Sequence, residues 1–453
     1  MLEVASAATW IGLDRALRSP EVVYRESPAM AKDGLPRDER LSRLAAACSP
    51  DGRRRESAVA DPATGADEVL LPAVVLRAAD WVPQVRETAR RSLSAALQSA
   101  DTAALVAAAG VAMAIASWER GGHALEAVAR ALCAAPDEVL AAARGQQDAG
   151  VRRLAYRSWL ASGRSRHEEV MRAALSEHDA ACQRQCVEWL VSDALRYRRV
   201  DALERLLGEG GARAGIAALT ALVELGRPEA GVAHLAGRSA MMRATAQWAA
   251  RRAGHDPAAI YRDALASDRA PGRVRALVAG LGECGTRQDV DVPLPFLEDP
   301  SPRVRAEAVR AVRRLGGPAA AIAGMLADPA PVVVRAVKRA LRGEPDAVSA
   351  SRLWSLLAAD SPPHVRLGAY EQLRGMDTWT RVHTDLHLLA ARDAELGARA
   401  RDDLIEWSRR SAVTAFRMPP EETALHLGQL IDTAEPVLGA HEAGRLRWIL
   451  GMN

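Results

Sequence analysis

The chain has 453 residues, a formal net charge of +3 and 4% aromatic residues, with only 2 Phe. That charge excludes the strong basic excess of a typical nucleic-acid binder, and the scarcity of large aromatics points to a core of Ala, Leu and Val. No stretch approaches the ~18 uncharged apolar residues of a membrane span, the Ala-rich run from Ala103 to Ala116 being too short.

Residues 1–47 hold amphipathic pieces, such as Trp10-Ile11-Gly12-Leu13-Asp14-Arg15-Ala16-Leu17, expected to cap the central part of the chain. The start lacks a basic segment leading into an apolar core, so no signal peptide is expected. Residues 48–66 run from Cys48-Ser49-Pro50-Asp51-Gly52-Arg53-Arg54-Arg55 to Ala66 and are rich in charged and turn residues. They read as a flexible loop. Residues 1–66 thus form an N-terminal cap and loop.

From 67 to 410 one phrase recurs: Asp, a short Pro-bearing gap, Val-Arg, then small or apolar residues four and eight positions after the Val. Asp80 to Val85-Arg86 leads to Ala89 and Leu93, Asp299 to Val304-Arg305 leads to Ala308 and Val312, and Asp360 to Val365-Arg366 leads to Ala369 and Leu373. Fainter copies start at Val151, Gln183, Ala212, Met242, Val274, Val333 and Ala398, in steps of 29 to 33 residues. A degenerate unit fits around Val111 to Trp118. In the Val333 copy the Arg is displaced to Arg335, and after Ala398 the apolar positions hold Asp402 and Glu406.

A fixed period of this length is a repeat array of helix pairs. The Asp accepts from backbone N–H groups at the start of the second helix. Pro is tolerated at that start because its missing N–H would be unpaired anyway. Spacing four places the apolar residues on one stripe, and only stacked pairs bury it continuously. No alternation of period two suggests a sheet, so the fold class is all-α, a right-handed α-solenoid. Residues 411–453 read as two further helices, broken by Pro419-Pro420 and Pro436, that cap the C-terminal end.

The phrase resembles the HEAT-repeat family and, more narrowly, the short bacterial HEAT-like repeats first described in phycobilisome lyases. The family's repeated Asp and Arg form a hydrogen-bonded ladder between neighbouring turns. The resemblance implies that role for Asp80, Arg86, Asp299, Arg305, Asp360 and Arg366, with ligand binding by those Arg residues as the alternative. Asp328 with Arg335 departs from the pattern by one position.

In HEAT-like arrays the second helices line the concave surface. Positions six and nine after each Val then give Arg91, Arg157, Trp189, Trp248, Arg251, Arg310, Arg313, Arg339, Arg342 and Arg374 as candidates for partner binding. Position five gives Arg90, Tyr156, Gln247, Lys338 and Tyr370. All but two of the 60 basic residues are Arg, the exceptions being Lys32 and Lys338. Such Arg richness follows from GC-rich coding, but Arg is also the better partner for carboxylate and phosphate.

Three readings of this stripe stand side by side: a solvated face paired with Asp and Glu of the array, a groove for an acidic protein, or a phosphate track with stacked aromatics. Glu188, Glu283, Glu371 and Asp403 interrupt it. Bacterial alkylpurine DNA glycosylases share the repeat and use Asp and Trp on the concave face, but no local motif here matches theirs. HEAT-like deoxyhypusine hydroxylases hold iron with repeated His-Glu pairs. Here His167-Glu168 and His441-Glu442 lie at unequal phase. The bilin-lyase reading has no support beyond the repeat itself. His383 and His387 are one turn apart and can ligate a metal, a weak signal alone.

Cys48, Cys133, Cys182, Cys186 and Cys284 form no CxxC pair, as in a reduced cytoplasmic protein. Gly208-Glu209-Gly210-Gly211 ends a helix and is no phosphate loop. No nucleophile with its base is evident. The sequence therefore points to a cytoplasmic, non-enzymatic scaffold that binds a protein partner on its concave face, without cofactor or metal. The alternative is a nucleic-acid-binding protein or DNA glycosylase using the same groove.

Overall fold

The computed structural model describes residues 6–18, 39–267, 270–412 and 418–452. Parts of both expected caps, residues 1–5, 19–38, 413–417 and 453, lie outside the described residues, as does Lys32. The described residues form helices and no strand. They divide into two compact units, Met1–Gly226 and Arg227–Asn453, and each is an all-α solenoid of stacked helical repeats.

Every copy of the phrase opens a helix except the degenerate unit, where Val111 lies near the end of helix Thr102–Ala114. Helices Pro83–Ala96, Ala149–Ala161, Ala180–Tyr197 and Ala212–Glu224 begin at or up to three residues before the expected position in the first unit. In the second unit Ala240–Arg252, Pro271–Cys284, Pro302–Arg314, Pro331–Ala340, Pro363–Met376 and Gly397–Glu406 do the same. Within that unit each of the first four packs on the next. The apolar pair four and eight residues on is buried in most copies: Ala89 and Leu93, Ala155 and Trp159, Ala246 and Ala250, Ala308 and Val312, Val337 and Leu341, Ala369 and Leu373. Burial of each Leu or Val stabilises by roughly 1.5–3 kcal/mol relative to exposure.

Two copies depart in register. In Ala212–Glu224 the buried line is Ala214, Ala218 and Leu222, two residues ahead of the phrase. In Gly397–Glu406 the charged Asp402 and Glu406 are exposed, and Ala400, Asp403 and Leu404 face inward. The first element of several pairs in the second unit is a short 3₁₀ turn: Pro228–His234, Leu294–Glu298 and Gly324–Ala327. In Leu294–Glu298 the flanking Pro293 and internal Pro295 remove the amide donors that a longer helix needs.

The turns follow one scheme. The phrase Asp folds back on the amide two residues ahead: Asp80 accepts from Val82 N at 3.0 Å, Asp299 from Ser301 N at 2.7 Å and Asp328 from Ala330 N at 2.8 Å. The phrase Arg donates to the carbonyl six residues behind. Arg86 reaches Asp80 O at 3.0 Å, Arg152 Gln146 O at 2.8 Å, Arg243 Gly237 O at 2.9 Å and Arg305 Asp299 O at 2.9 Å. The turn is thereby tied at both ends, leaving the rest of the guanidinium for a neighbour.

Residues 48–66 are not a loop. They form helices Gly52–Ala60 and Pro62–Ala66, capped by Asp51 and Asp61. Arg55, which composition placed in solvent, is only 1% exposed. It donates to both oxygens of Asp80 at 3.0 and 3.1 Å and to Ser49 O and Pro50 O at 2.9 Å. Near the C-terminus Pro436 does not break a helix. Glu421–Leu438 runs through it, and the break comes at Gly439, whose φ of 95° favours glycine.

Candidate functional site

The second helices of the unit Arg227–Asn453 build an arginine-lined pocket of about 760 Å³. On Pro302–Arg314 the residues Arg303, Glu307, Arg310 and Arg314 recur every three or four positions and so share one face. Gly272, Ala276, Ala279 and Glu283 do the same on Pro271–Cys284, with Arg275 beside them, and Arg238, Ala240 and Arg243 complete the rim. Gly282 permits the close approach of these two helices: a Cβ there would stand 2.8 Å from Ala311 Cα.

Six guanidiniums meet two carboxylates in this pocket. Arg243 pairs with Glu283 at 2.5 and 2.9 Å. Arg310 donates to Glu307 at 2.9 Å, and Arg314 stands 3.7 Å from it. Arg238, Arg275 and Arg303 are exposed, and their guanidiniums have no hydrogen-bond or ion-pair partner among the described residues. The local balance is positive and three of the fork-shaped donors are free, an arrangement suited to bidentate capture of carboxylate or phosphate.

Of the ten residues expected to bind a partner, only Arg310 lines this pocket. Arg339 and Arg342 line a smaller one of about 240 Å³ with Arg335, Lys338 and Glu371. Arg313 instead donates to Glu344 at 2.6 Å and Gly317 O at 2.7 Å. Arg374 turns inward, donates to Asp403 and lies 5.2 Å from the Tyr370 ring. Trp248 is exposed, as are Arg157 and Arg251. In the other unit Arg91 holds Thr88 Oγ1 at 3.1 Å and half-buried Trp189 lies 6.2 Å from the His167 ring.

Position five is mostly core. Tyr156, Gln247 and Tyr370 are buried, and Lys338 pairs with Glu371 at 2.7 Å. Arg238, Arg275 and Arg303 were missed because they precede or immediately follow the phrase residue, outside positions five, six and nine. The helical spacing of Arg303, Arg310 and Arg314 was the available signal.

The six residues expected to form a ladder behave differently from one another. Arg305 reaches the next repeat and grips Asp328, and Arg366 reaches Asp393 together with Glu395 at 2.8 Å. Asp80 is gripped by Arg55 of the preceding turn. Arg86 stops at its own turn, bonding Asp80 O and Trp81 O. The carboxylate of Asp299 receives no Arg side chain, and Asp360 is exposed with no bond to its carboxylate, among the described residues. Arg153 with Asp179, at 2.8 to 3.2 Å, is a further pair of the same kind.

A second polar centre lies inside the helix pairs nearby. Asp385 is fully buried and accepts from Tyr370 Oη at 2.8 Å. Burial first, then the Asp403 carboxylate beside it, pushes its pKa up to about 8. Its Oδ2 accepts from no N–H or O–H, as expected of a protonated oxygen that donates to Asp403. Burial alone would raise Asp403 too, but Arg381, the Asp385 proton and Arg374 hold it below the usual range.

The family profile of HEAT repeats matches residues 259–342, the stretch that carries most of the pocket. No curated protein matches the chain. Among solved structures it is similar to karyopherin Kap121p bound to Ste12p (11% identity, TM-score 0.41, 92% of this chain and 55% of that one). It is also similar to Kap121p bound to the extreme C-terminus of the phosphatase Cdc14p (10%, 0.38, 92% and 50%). A third is Kap95p in complex with RanGDP (12%, 0.39, 91% and 66%). The chain spans about half the length of the Kap121p structures.

Proposed function

We propose that this chain is a non-enzymatic repeat scaffold that takes an acidic segment of a partner protein in the pocket of Arg238, Arg275, Arg303 and Arg310. The carrying observation is the set of three free guanidiniums on the rim of one cavity. Cations kept together without internal partners repel one another, and an incoming anion relieves that repulsion. The HEAT repeats at 259–342 support the scaffold part of this reading. The five free cysteines support a reducing, cytoplasmic setting.

Carboxylates favour protein over nucleic acid as the occupant. Glu283 and Glu307 sit among the pocket arginines, and Glu371 among those of the smaller pocket. A phosphate track would be repelled at each of these points. The glycosylase reading gains nothing, because neither Trp189 nor Trp248 lines either of these pockets.

The test is fluorescence anisotropy with a labelled Glu-rich peptide and with single- and double-stranded DNA of equal charge, each over a salt series. The peptide is expected to bind with a Kd on the order of 10 µM at low salt and to lose binding in Arg275→Glu with Arg303→Glu. DNA binding that is tighter and equally sensitive to those substitutions sinks the protein reading in favour of a phosphate track. Binding of neither probe sinks the pocket as an anion site.

A further inference from the structure

Helix Thr378–Ala390 carries His383 and His387 one turn apart, and helix Glu421–Leu438 packs on it and carries His426. His383 Nε2 and His426 Nε2 approach to 3.1 Å. Trp354 covers the pair of His on the first helix, with ring centroids 5.0 Å from His383 and 5.1 Å from His387. His383 and His426 both border two adjoining cavities, of about 670 and 440 Å³. The first also holds His387, and the second holds Glu422, one turn before His426 on the same helix.

We infer that His383 and His426 form a transition-metal site that clips the C-terminal helix Glu421–Leu438 to Thr378–Ala390. Two imidazole nitrogens on one Zn²⁺ ion, each at ~2.0–2.1 Å, stand about 3.3 Å apart in tetrahedral geometry and about 2.9 Å apart at a right angle. The observed 3.1 Å falls between these values. In the metal-free chain one Nε2–H donates to the other Nε2, so one proton occupies the position of the ion. Binding replaces that proton, which moves to Nδ1 of the ring that carried it, so both imidazoles stay neutral ligands.

Among the described residues no three His, Cys, Asp or Glu already stand in coordinating geometry. The two imidazoles therefore make the site, and water fills the remaining positions. His387 and Glu422 are the side chains placed to replace a water. The expected ions are Zn²⁺ and, more tightly, Cu²⁺, following the general order for nitrogen ligands. The site is separate from the arginine pocket and stands or falls without it.

The test is isothermal titration of the untagged full chain with ZnCl₂ and with CuCl₂ at pH 7.5, alongside thermal unfolding with and without each ion. Saturable binding of about one ion is expected, with a raised Tm that the ion produces only when both His are present. His426→Ala removes an exposed side chain, so the variant folds, and it is expected to weaken binding at least ~10-fold and abolish the Tm rise. His383→Ala does the same, and His387→Ala weakens binding less. Absence of saturable binding overturns the inference. So does binding that survives unchanged in both His383→Ala and His426→Ala, since the ion then sits on Cys or another His.

Discussion

Arg305 and Asp328, 23 residues apart in sequence, meet through two parallel hydrogen bonds, Nε to Oδ2 at 2.8 Å and Nη2 to Oδ1 at 2.9 Å. The side chains are 14% and 4% exposed. The same guanidinium also holds Asp299 O, and the same carboxylate also caps Ala330 N. One ion pair thus joins two consecutive turns. Arg55 with Asp80 repeats the geometry with side chains 1% and 0% exposed.

Removing one partner of such a pair leaves the other desolvated and alone. Asp328→Ala is expected to cost about 3 kcal/mol, because it orphans Arg305 and frees an amide as well. Arg305→Ala costs about 2 kcal/mol. Asp360→Ala, at the equivalent phrase position but exposed and unbonded, stays within about 0.5 kcal/mol of the parent. Urea denaturation of the three variants checks this. Equal losses for Asp328→Ala and Asp360→Ala would show that the ion pair is not what holds the turns together.

The repeat phase was legible from the phrase alone, because Val, Ala and Leu at spacing four have one stable arrangement, inside the stack. The pairing of each Asp with its Arg was not legible. The phrase repeats a residue type, whereas the pairing depends on how far the connecting segment carries the next turn. Asp328, whose own Arg is displaced, turns out to be a full acceptor, and the Asp360 carboxylate, in a strong copy of the phrase, accepts nothing among the described residues. Arg55 shows the same gap: a run of three Arg in a charged stretch reads as solvated until Asp80 is placed beside it. The free arginines of the pocket were hidden because a one-dimensional register names positions on one helix, and the pocket belongs to three.

Asp385 makes stability depend on pH in an unusual direction. Its pKa is about 8 in the folded chain against an ordinary value of 3.8. The unfolded chain therefore loses this proton near pH 4 while the folded chain keeps it, so stability falls as pH rises from about 4 through 8. Asn is close in shape to the protonated acid: its Oδ1 can accept from Tyr370 and its Nδ2 can donate to Asp403. Asp385→Asn is expected to match the parent at pH 4–5 and to exceed it by roughly 3 kcal/mol at pH 9. Denaturant midpoints at the two pH values decide the matter, and a difference independent of pH would mean that Asp385 is ionised in the fold.

The pocket arginines should separate binding from stability. Arg275 and Arg303 hold no internal partner among the described residues, so Arg275→Ala and Arg303→Ala break no bond and relieve repulsion among like charges. Each is expected to leave Tm unchanged or raise it by about a degree, within the roughly ±0.5 kcal/mol of a surface change. Both are expected to weaken the acidic peptide. Arg243→Ala should instead lower Tm, since it breaks the pair with Glu283 and two turn bonds. A clear loss of Tm in Arg275→Ala or Arg303→Ala would assign those residues to the fold.

Two glycines of Pro271–Cys284 ask opposite things of the same substitution. A Cβ at Gly280 would meet the Tyr261 ring at 2.2 to 2.5 Å. Tyr261 cannot yield: it is fully buried, donates to Leu235 O at 2.8 Å and receives Gln247 Nε2 at 3.3 Å. Gly280→Ala therefore overpacks a fixed ring and is expected to cost about 2–3 kcal/mol. At Gly272, in the first turn of the helix, a Cβ meets nothing within 4 Å. Alanine there lowers the entropy of the unfolded chain without strain, and Gly272→Ala is expected to stabilise by about 0.5 kcal/mol. Thermal unfolding of the two variants measures the contrast. A Gly280→Ala protein as stable as the parent would mean that Tyr261 has room to move, and that the close contact between these helices is not what fixes its ring.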